Sequence, residues 1–170
     1  MAGSILVAWI VRWVHITCAV LAIGAPFFVR FALMPAAARV LDDASHQKLR
    51  EAINARWRHI VYALITLFIL TGAYNFFVET RVNGVLITAR WHDFDEDSKR
   101  IYHMLFGIKM LAAFAMFFLA SALAGRTQAF AAIRKNARLN ITILLLLGFL
   151  ALVCATLMHM LPMHQALNAP

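Results

Sequence analysis

Three histidines, His15, His103 and His159, fall on three different apolar segments of the chain. An ionisable side chain inside a hydrocarbon-like stretch is costly and marks a functional site by default. Imidazoles projecting from facing helices are also a usual means by which a helical bundle holds a haem iron or another metal. Two cations accompany them. Arg12 lies three residues before His15. Lys109 lies six residues after His103, about 9 Å deeper at the helical rise of about 1.5 Å per residue. No Asp or Glu falls within the apolar segments to pair with Lys109. Either its stem snorkels and the ammonium reaches the interface, or the charge meets a carboxylate carried by a ligand, such as a haem propionate. Arg12 could serve in the same way.

A second set of donors competes for the same place. The run Met158-His159-Met160-Leu161-Pro162-Met163-His164 holds three thioethers and two imidazoles within seven positions. Cys154 lies one turn before it, Met104 follows His103, and Cys18 lies one turn beyond His15. Thioether and imidazole together suit Cu(I). Methionine is also a flexible filler of apolar helices, and this chain has eight. Each histidine alone also has an ordinary role as a hydrogen-bonded side chain near a helix end.

The elements that must position these residues are four apolar segments, near residues 5–34, 57–78, 101–124 and 139–161. Each meets the requirement of about 20 mostly apolar residues for a spanning helix. Hydrophobic residues make up 63% of the 170, with a mean hydropathy of +0.76, where roughly 45–50% is usual for a soluble domain. The expected fold is all-α, one integral membrane domain forming a four-helix transmembrane bundle. The first segment is interrupted by Arg12 and Arg30 and lacks a small-residue cleavage site, so it reads as a retained span.

Charge sets the orientation. The first connection carries Arg39, Lys48, Arg50 and Arg56, and the third carries Arg126, Arg134, Lys135 and Arg138. The second has Arg81, Arg90, Lys99 and Arg100 but also Glu79, Asp93, Asp95, Glu96 and Asp97. The first and third connections therefore belong in the cytoplasm. Both termini and the acidic connection face outward, into the periplasm if the membrane is a bacterial inner membrane. Helix parity then brings His15, beneath Trp9 and Trp13, to the same side as His103 and His159. The net charge of +8 clusters beside the ends of apolar segments, which suits a bilayer surface and argues against nucleic acid. Cys18 and Cys154 are too few for a disulfide framework.

The connections have structure of their own. Leu49, Ile53 and Trp57 recur at helical spacing, which predicts either a cytoplasmic extension of the second helix or a short interfacial helix. Val85-Leu86-Ile87-Thr88 after Asn83-Gly84 predicts a small hairpin or a cap over the bundle. Gly24, Gly72, Gly107, Ser121, Gly125 and Gly148 are candidates for close helix approach. The acidic run Asp93-Phe94-Asp95-Glu96-Asp97 lacks the glycine and distant glutamate of a calcium loop and reads as a solvated turn. Only His46 and His59 are available on the cytoplasmic side. They do not amount to the second ligand pair that electron transfer across the membrane would usually need.

These residues resemble the CopD-like group of bacterial integral membrane proteins, which includes relatives of the HemJ type. Arg12-Trp13-Val14-His15 followed by Ala22-Ile23-Gly24 is similar to that group's opening helix. Leu70-Thr71-Gly72 resembles its Leu-Thr-Gly, and Gly107-Ile108-Lys109-Met110-Leu111 its single lysine early in an apolar helix. The likeness spans roughly Arg12 to Leu161. An aromatic residue before the glycine patch is missing here, and the loop from Thr80 to Arg100 is longer and more acidic. The resemblance implies a compact bundle handling copper or a b-type haem on the outer side, with His15 and Lys109 carried over most directly.

The leading expectation is a haem b protein serving electron transfer or small-molecule redox, an oxidoreductase if an axial position is free. His15 would be one axial ligand and His103 or His159 the other, with Arg12 and Lys109 on the propionates. The alternative is a copper-binding or copper-transport protein using Met158, His159, Met160, Met163 and His164 with His15 and His103. A cofactor-free structural subunit of a membrane complex is the third. Expected partners are the bilayer, a periplasmic or membrane redox protein, and a second copy of the chain.

Overall fold

The computed structural model describes the backbone of residues 2–82, 85–88, 90–125 and 127–168, and side chains over 4–80, 88, 91–92, 94–125 and 127–161. Four long helices dominate, each long and apolar enough to cross a membrane, and the chain is an integral membrane protein with an all-α four-helix bundle fold. The side chains of Arg81, Arg90, Asp93, Arg126, Pro162, Met163 and His164, and the Asn83-Gly84 turn, lie outside the described residues.

Helix α1, Ala2–Phe28, passes through one π-type turn, Val29–Leu33, into α2, Met34–Val40. The amide of Met34 bonds to the Val29 carbonyl, five residues back. Pro35 supplies the reason. It offers no N–H to the Phe31 carbonyl, and in an ordinary α-turn its ring would press on that carbonyl; a wider turn relieves both.

Helix α3, Asp43–Phe77, is 35 residues long. At about 1.5 Å per residue it reaches roughly 50 Å, well beyond the about 30 Å of a hydrocarbon core. Its first turns, carrying Lys48, Arg50 and Arg56, are thus the expected extension of the second spanning helix. Asp42 starts it, accepting from the Ser45 amide at 3.0 Å. Helix α4, Glu96–Ala124, begins in the same way on Asp95, which accepts from the Ser98 amide at 3.2 Å. The acidic run therefore does specific work as a helix start. A 3-10 turn at Gln128–Phe130 and the short α5, Ala131–Lys135, lead into α6, Ala137–Asn168.

Between α3 and α4 lies the expected hairpin, β1 Thr80–Val82 against β2 Val85–Thr88, antiparallel with a bulge between Thr80 and Arg81. It covers one end of the bundle and clamps the end of α3. The Thr88 hydroxyl donates to the Val78 carbonyl, and the Trp91 indole donates to the Phe76 carbonyl at 3.3 Å. These are backbone acceptors that a helix C-terminus leaves without an intrahelical donor.

Helices α4 and α6 pack most extensively, α1 lies against α3, and contacts of α3 with α4 and α1 with α6 close the ring. The central core is Ala113, Met116, Phe117 and Leu144, all buried, with Ile23, Ile65 and Phe68 against it. Around the outside, Leu111, Leu146, Phe149 and Leu70 are exposed, as lipid-facing residues should be. Gly148 is a true close approach, since an added Cβ would lie 2.9 Å from Ile23 Cγ1. Gly24 and Gly107 have open space instead, and Gly125 serves as the cap that ends α4.

Candidate functional site

A cavity of about 450 Å³ opens among the four helices at the hairpin end. Its walls are mainly apolar and aromatic, and four of the five residues singled out by the sequence lie on them: Arg12, His15, Lys109 and His159. Each comes from a position dictated by antiparallel packing. Arg12 and His15 are one turn apart in the middle of α1, Lys109 is at the middle of α4, and His159 is in the second half of α6.

His15 is the best fixed of the four. Its Nδ1 lies 2.9 Å from the Thr71 hydroxyl oxygen. That hydroxyl lies 2.6 Å from the Leu67 carbonyl, to which it donates, with the Phe68 carbonyl at 3.3 Å. A hydroxyl has one hydrogen to give. Held by its bond to that carbonyl, the Thr71 hydroxyl offers its oxygen to the Nδ1–H form of His15. The Nε2 lone pair is then available for a metal. The Phe68 ring lies against the imidazole, with centroids 4.1 Å apart. On another side, a Cβ built on Gly72 would come within 3.3 Å of His15 Cε1. Thr71 and Gly72 thus form the seat of the histidine.

Lys109 is half-buried on the same cavity wall. No acidic residue follows Asp97 in the sequence, and none lies between Glu51 and Glu79, so the bundle interior contains no carboxylate to balance it.

His103 is placed differently. It does not line the cavity: it is exposed, its ring beside other aromatic rings, 5.0 Å from Trp91, 5.9 Å from Tyr102 and 6.3 Å from Phe76 between centroids. Phe76 stacks on Phe106 at 4.2 Å and on Trp91 at 5.7 Å. This cluster closes the cavity on the hairpin side, Phe76, Phe106 and Tyr102 forming part of the cavity wall.

The soft donors divide as well. Met158 is buried and lines the cavity beside His159, whereas Met160 is 55% exposed on another face of α6. Cys18 and Cys154 are free thiols, both buried, and neither lines the cavity. Among the described residues no three His, Cys, Asp or Glu side chains gather as a metal cluster.

A second cavity, about 130 Å³, lies at the opposite end of the bundle, lined by residues such as Pro26, Trp57, Val61 and Ile141. Phe117 forms part of the wall of both. Its ring meets Phe68 edge-on at 5.4 Å. Neither His46 nor His59 lines this second space.

Thr71 and Phe68 are site residues that residue type and spacing do not single out. Their signal was present in Leu70-Thr71-Gly72, a hydroxyl and a missing side chain side by side in an apolar run. What that pair serves became visible only with α1 laid against α3. Searches of family models, curated proteins and solved structures returned no match to this chain.

Proposed function

We propose that this chain binds one b-type haem in the hairpin-end cavity, where His15 and His159 would hold the iron. The observation that supports this reading is the His15–Thr71 hydrogen bond at the wall of an apolar cavity that Arg12, Lys109 and a second imidazole, His159, also line; with Nδ1 engaged there, Nε2 is the nitrogen a metal would take. A macrocycle with two carboxylates matches that wall. Its apolar faces suit Phe68, Phe106 and Phe114, and its carboxylates suit the cationic side chains of Arg12 and Lys109 on the same wall. When bound, haem supplies a one-electron couple. The protein would then serve electron transfer, or redox chemistry on a small molecule where the second ligand is displaceable. By the distribution of Lys and Arg, the site faces outward from a bacterial inner membrane, toward a periplasmic or membrane redox partner. The resemblance to the CopD-like group points the same way.

Copper is the second reading, favoured by one observation: buried Met158 shares the cavity wall with His15 and His159. Two imidazoles and a thioether suit Cu(I).

The test is an oxidised and a dithionite-reduced spectrum of the protein in mild detergent, with iron and copper measured on the same sample. The expected result is a Soret band that sharpens on reduction, with about one iron per chain as one haem requires, and its loss in His15→Ala. A full spectrum in that variant would overturn the ligand assignment. Copper without a Soret band, lost in Met158→Leu, would favour the second reading. Neither metal, with cofactor loss excluded, would leave a structural subunit.

A further inference from the structure

We infer that Thr71 is a positioning residue that sets the tautomer and the ring orientation of His15, and through them the donor strength of its Nε2. This rests on His15 being a metal ligand, but the geometry beneath it is independent of which metal is bound.

Thr71 sits on α3, 56 positions from His15 in sequence, and is 8% exposed. Its hydroxyl could bond only within its own helix, as Thr66, Thr142 and Thr156 do in this chain. Thr71 makes the same bond to Leu67 and in addition receives the His15 ring at 2.9 Å. The outcome is a directed chain, from imidazole Nδ1–H to hydroxyl oxygen and from hydroxyl hydrogen to the Leu67 carbonyl. With the Leu67 and Phe68 carbonyls both in reach, the hydroxyl hydrogen is drawn to its own helix, and the oxygen left facing the ring favours the Nδ1–H tautomer. Phe68 packs against one side of the ring, and the absent side chain of Gly72 leaves the room it occupies on another.

The chemical consequence follows from the polarity of that chain. An acceptor on Nδ1–H makes the imidazole a more basic ligand. A more basic ligand favours the oxidised metal, so Thr71 lowers the reduction potential. A role confined to packing would be met equally by valine, which keeps the branched shape and drops the hydroxyl.

Two measurements on Thr71→Val, Thr71→Ser and Gly72→Ala test this in the full-length protein. The first is the reduction potential and haem affinity of the haem-loaded forms. Thr71→Val should raise the potential and weaken haem binding about 10- to 100-fold, as loss of an outer hydrogen bond commonly does. Thr71→Ser should restore both. Gly72→Ala should disturb the potential with Thr71 intact, by displacing the ring. The second is nitrogen NMR of 15N-histidine-labelled protein without added metal, with the His15 resonances assigned by their loss in His15→Ala. The expected state is the Nδ1–H tautomer in the wild type and a mixture in Thr71→Val.

A Thr71→Val protein with wild-type potential, affinity and tautomer would overturn the inference while leaving the haem reading intact. A wild-type protein that takes no haem would end the haem reading, and the NMR measurement would still decide the role of Thr71. If Thr71→Val does not fold, Gly72→Ala decides: an unchanged potential or tautomer there overturns the inference.

Discussion

Two cavities of this bundle are built by the same four spanning segments and share Phe117, yet they differ in the charged and titratable groups on their walls. The hairpin-end cavity carries Arg12, His15, Lys109 and His159 on its wall. The opposite one has no ionisable side chain on its wall, and its polar groups are limited to Asn54 and the Trp57 indole. Helix packing alone leaves spaces, so a cavity by itself says little. Placing four ionisable groups around one is costly in hydrocarbon, and of these two cavities only the hairpin-end one has them among the described residues. The contrast supports a single cofactor site near one face, not a pair of sites joined across the membrane.

The sharpest way to break the comparison is to exchange the two histidines that the sequence could not separate. His159→Ala should convert the reduced spectrum from low-spin to high-spin, since it removes a ligand from the cavity wall. His103→Ala should leave the low-spin spectrum in place, because its ring packs with Trp91 and Tyr102 outside the cavity. The reverse result would reassign the second ligand. Next in size are the cations. Lys109→Met and Arg12→Met should each weaken haem binding by about tenfold or more, from the roughly 1.5–3 kcal/mol typical of hydrogen bonds to charged groups. Competition against apomyoglobin measures it. Equal affinity in both variants would return Lys109 to the role of a snorkelling side chain.

That His103 and His159 could not be told apart from the sequence has a physical origin. The four spans were legible because a bilayer demands about 20 apolar residues in a row. Rotation about each helix was not. In water an apolar stripe marks the buried face, but lipid accepts Leu111, Leu146 and Phe149 on the outside as readily as a core accepts Leu144 within. One residue turns a helix by about 100°. Tyr102 therefore lines the cavity while His103 does not, and Met158 lines it while Met160 faces away. The level of each histidine could be derived from helix parity, but its direction required packing. The start of α3 was open between two forms for a related reason, since Leu49, Ile53 and Trp57 suit a separate interfacial helix as well as an extension.

A smaller effect is expected from the opposite half, and it should be silent in the spectrum. Gly148→Ala would put a Cβ 2.9 Å from Ile23 Cγ1 and 3.3 Å from Met116 Sδ. The thioether can yield, being flexible. Ile23 is β-branched and stiff at that carbon. Overpacking of this kind costs about 1–3 kcal/mol, so thermal unfolding in detergent should shift downward. Haem content should not change, because neither Ile23 nor Met116 lines the hairpin-end cavity. Loss of haem alongside stability would mean that the two halves are coupled through the core, and the comparison would need to be restated as one continuous interior.

The smallest effect concerns a device the two ends have in common. Asp42 starts α3 at one end and Asp95 starts α4 at the other, each within an Asp-x-x-Ser pattern. Hydrogen bonds from the Ser98 hydroxyl, and then from its amide, hold Asp95 below the ordinary aspartate value of 3.8; Ser45 does the same for Asp42. A carboxyl depressed on folding adds stability that is full above its unfolded value and fades as pH falls through the folded one. Both helix starts should therefore loosen only below about pH 4, the ordinary aspartate range, and by similar small amounts, since both carboxylates are fully exposed to water. Amide exchange at Ser45 and Ser98, followed from pH 6 downward, would measure it in wild type and in the Asp42→Asn and Asp95→Asn variants. Parallel behaviour would place the difference between the two ends in their cavities. If Ser98 opened well before Ser45, the hairpin end would be the weaker half for reasons of backbone, and the ionisable groups gathered there would be a second difference instead of the first.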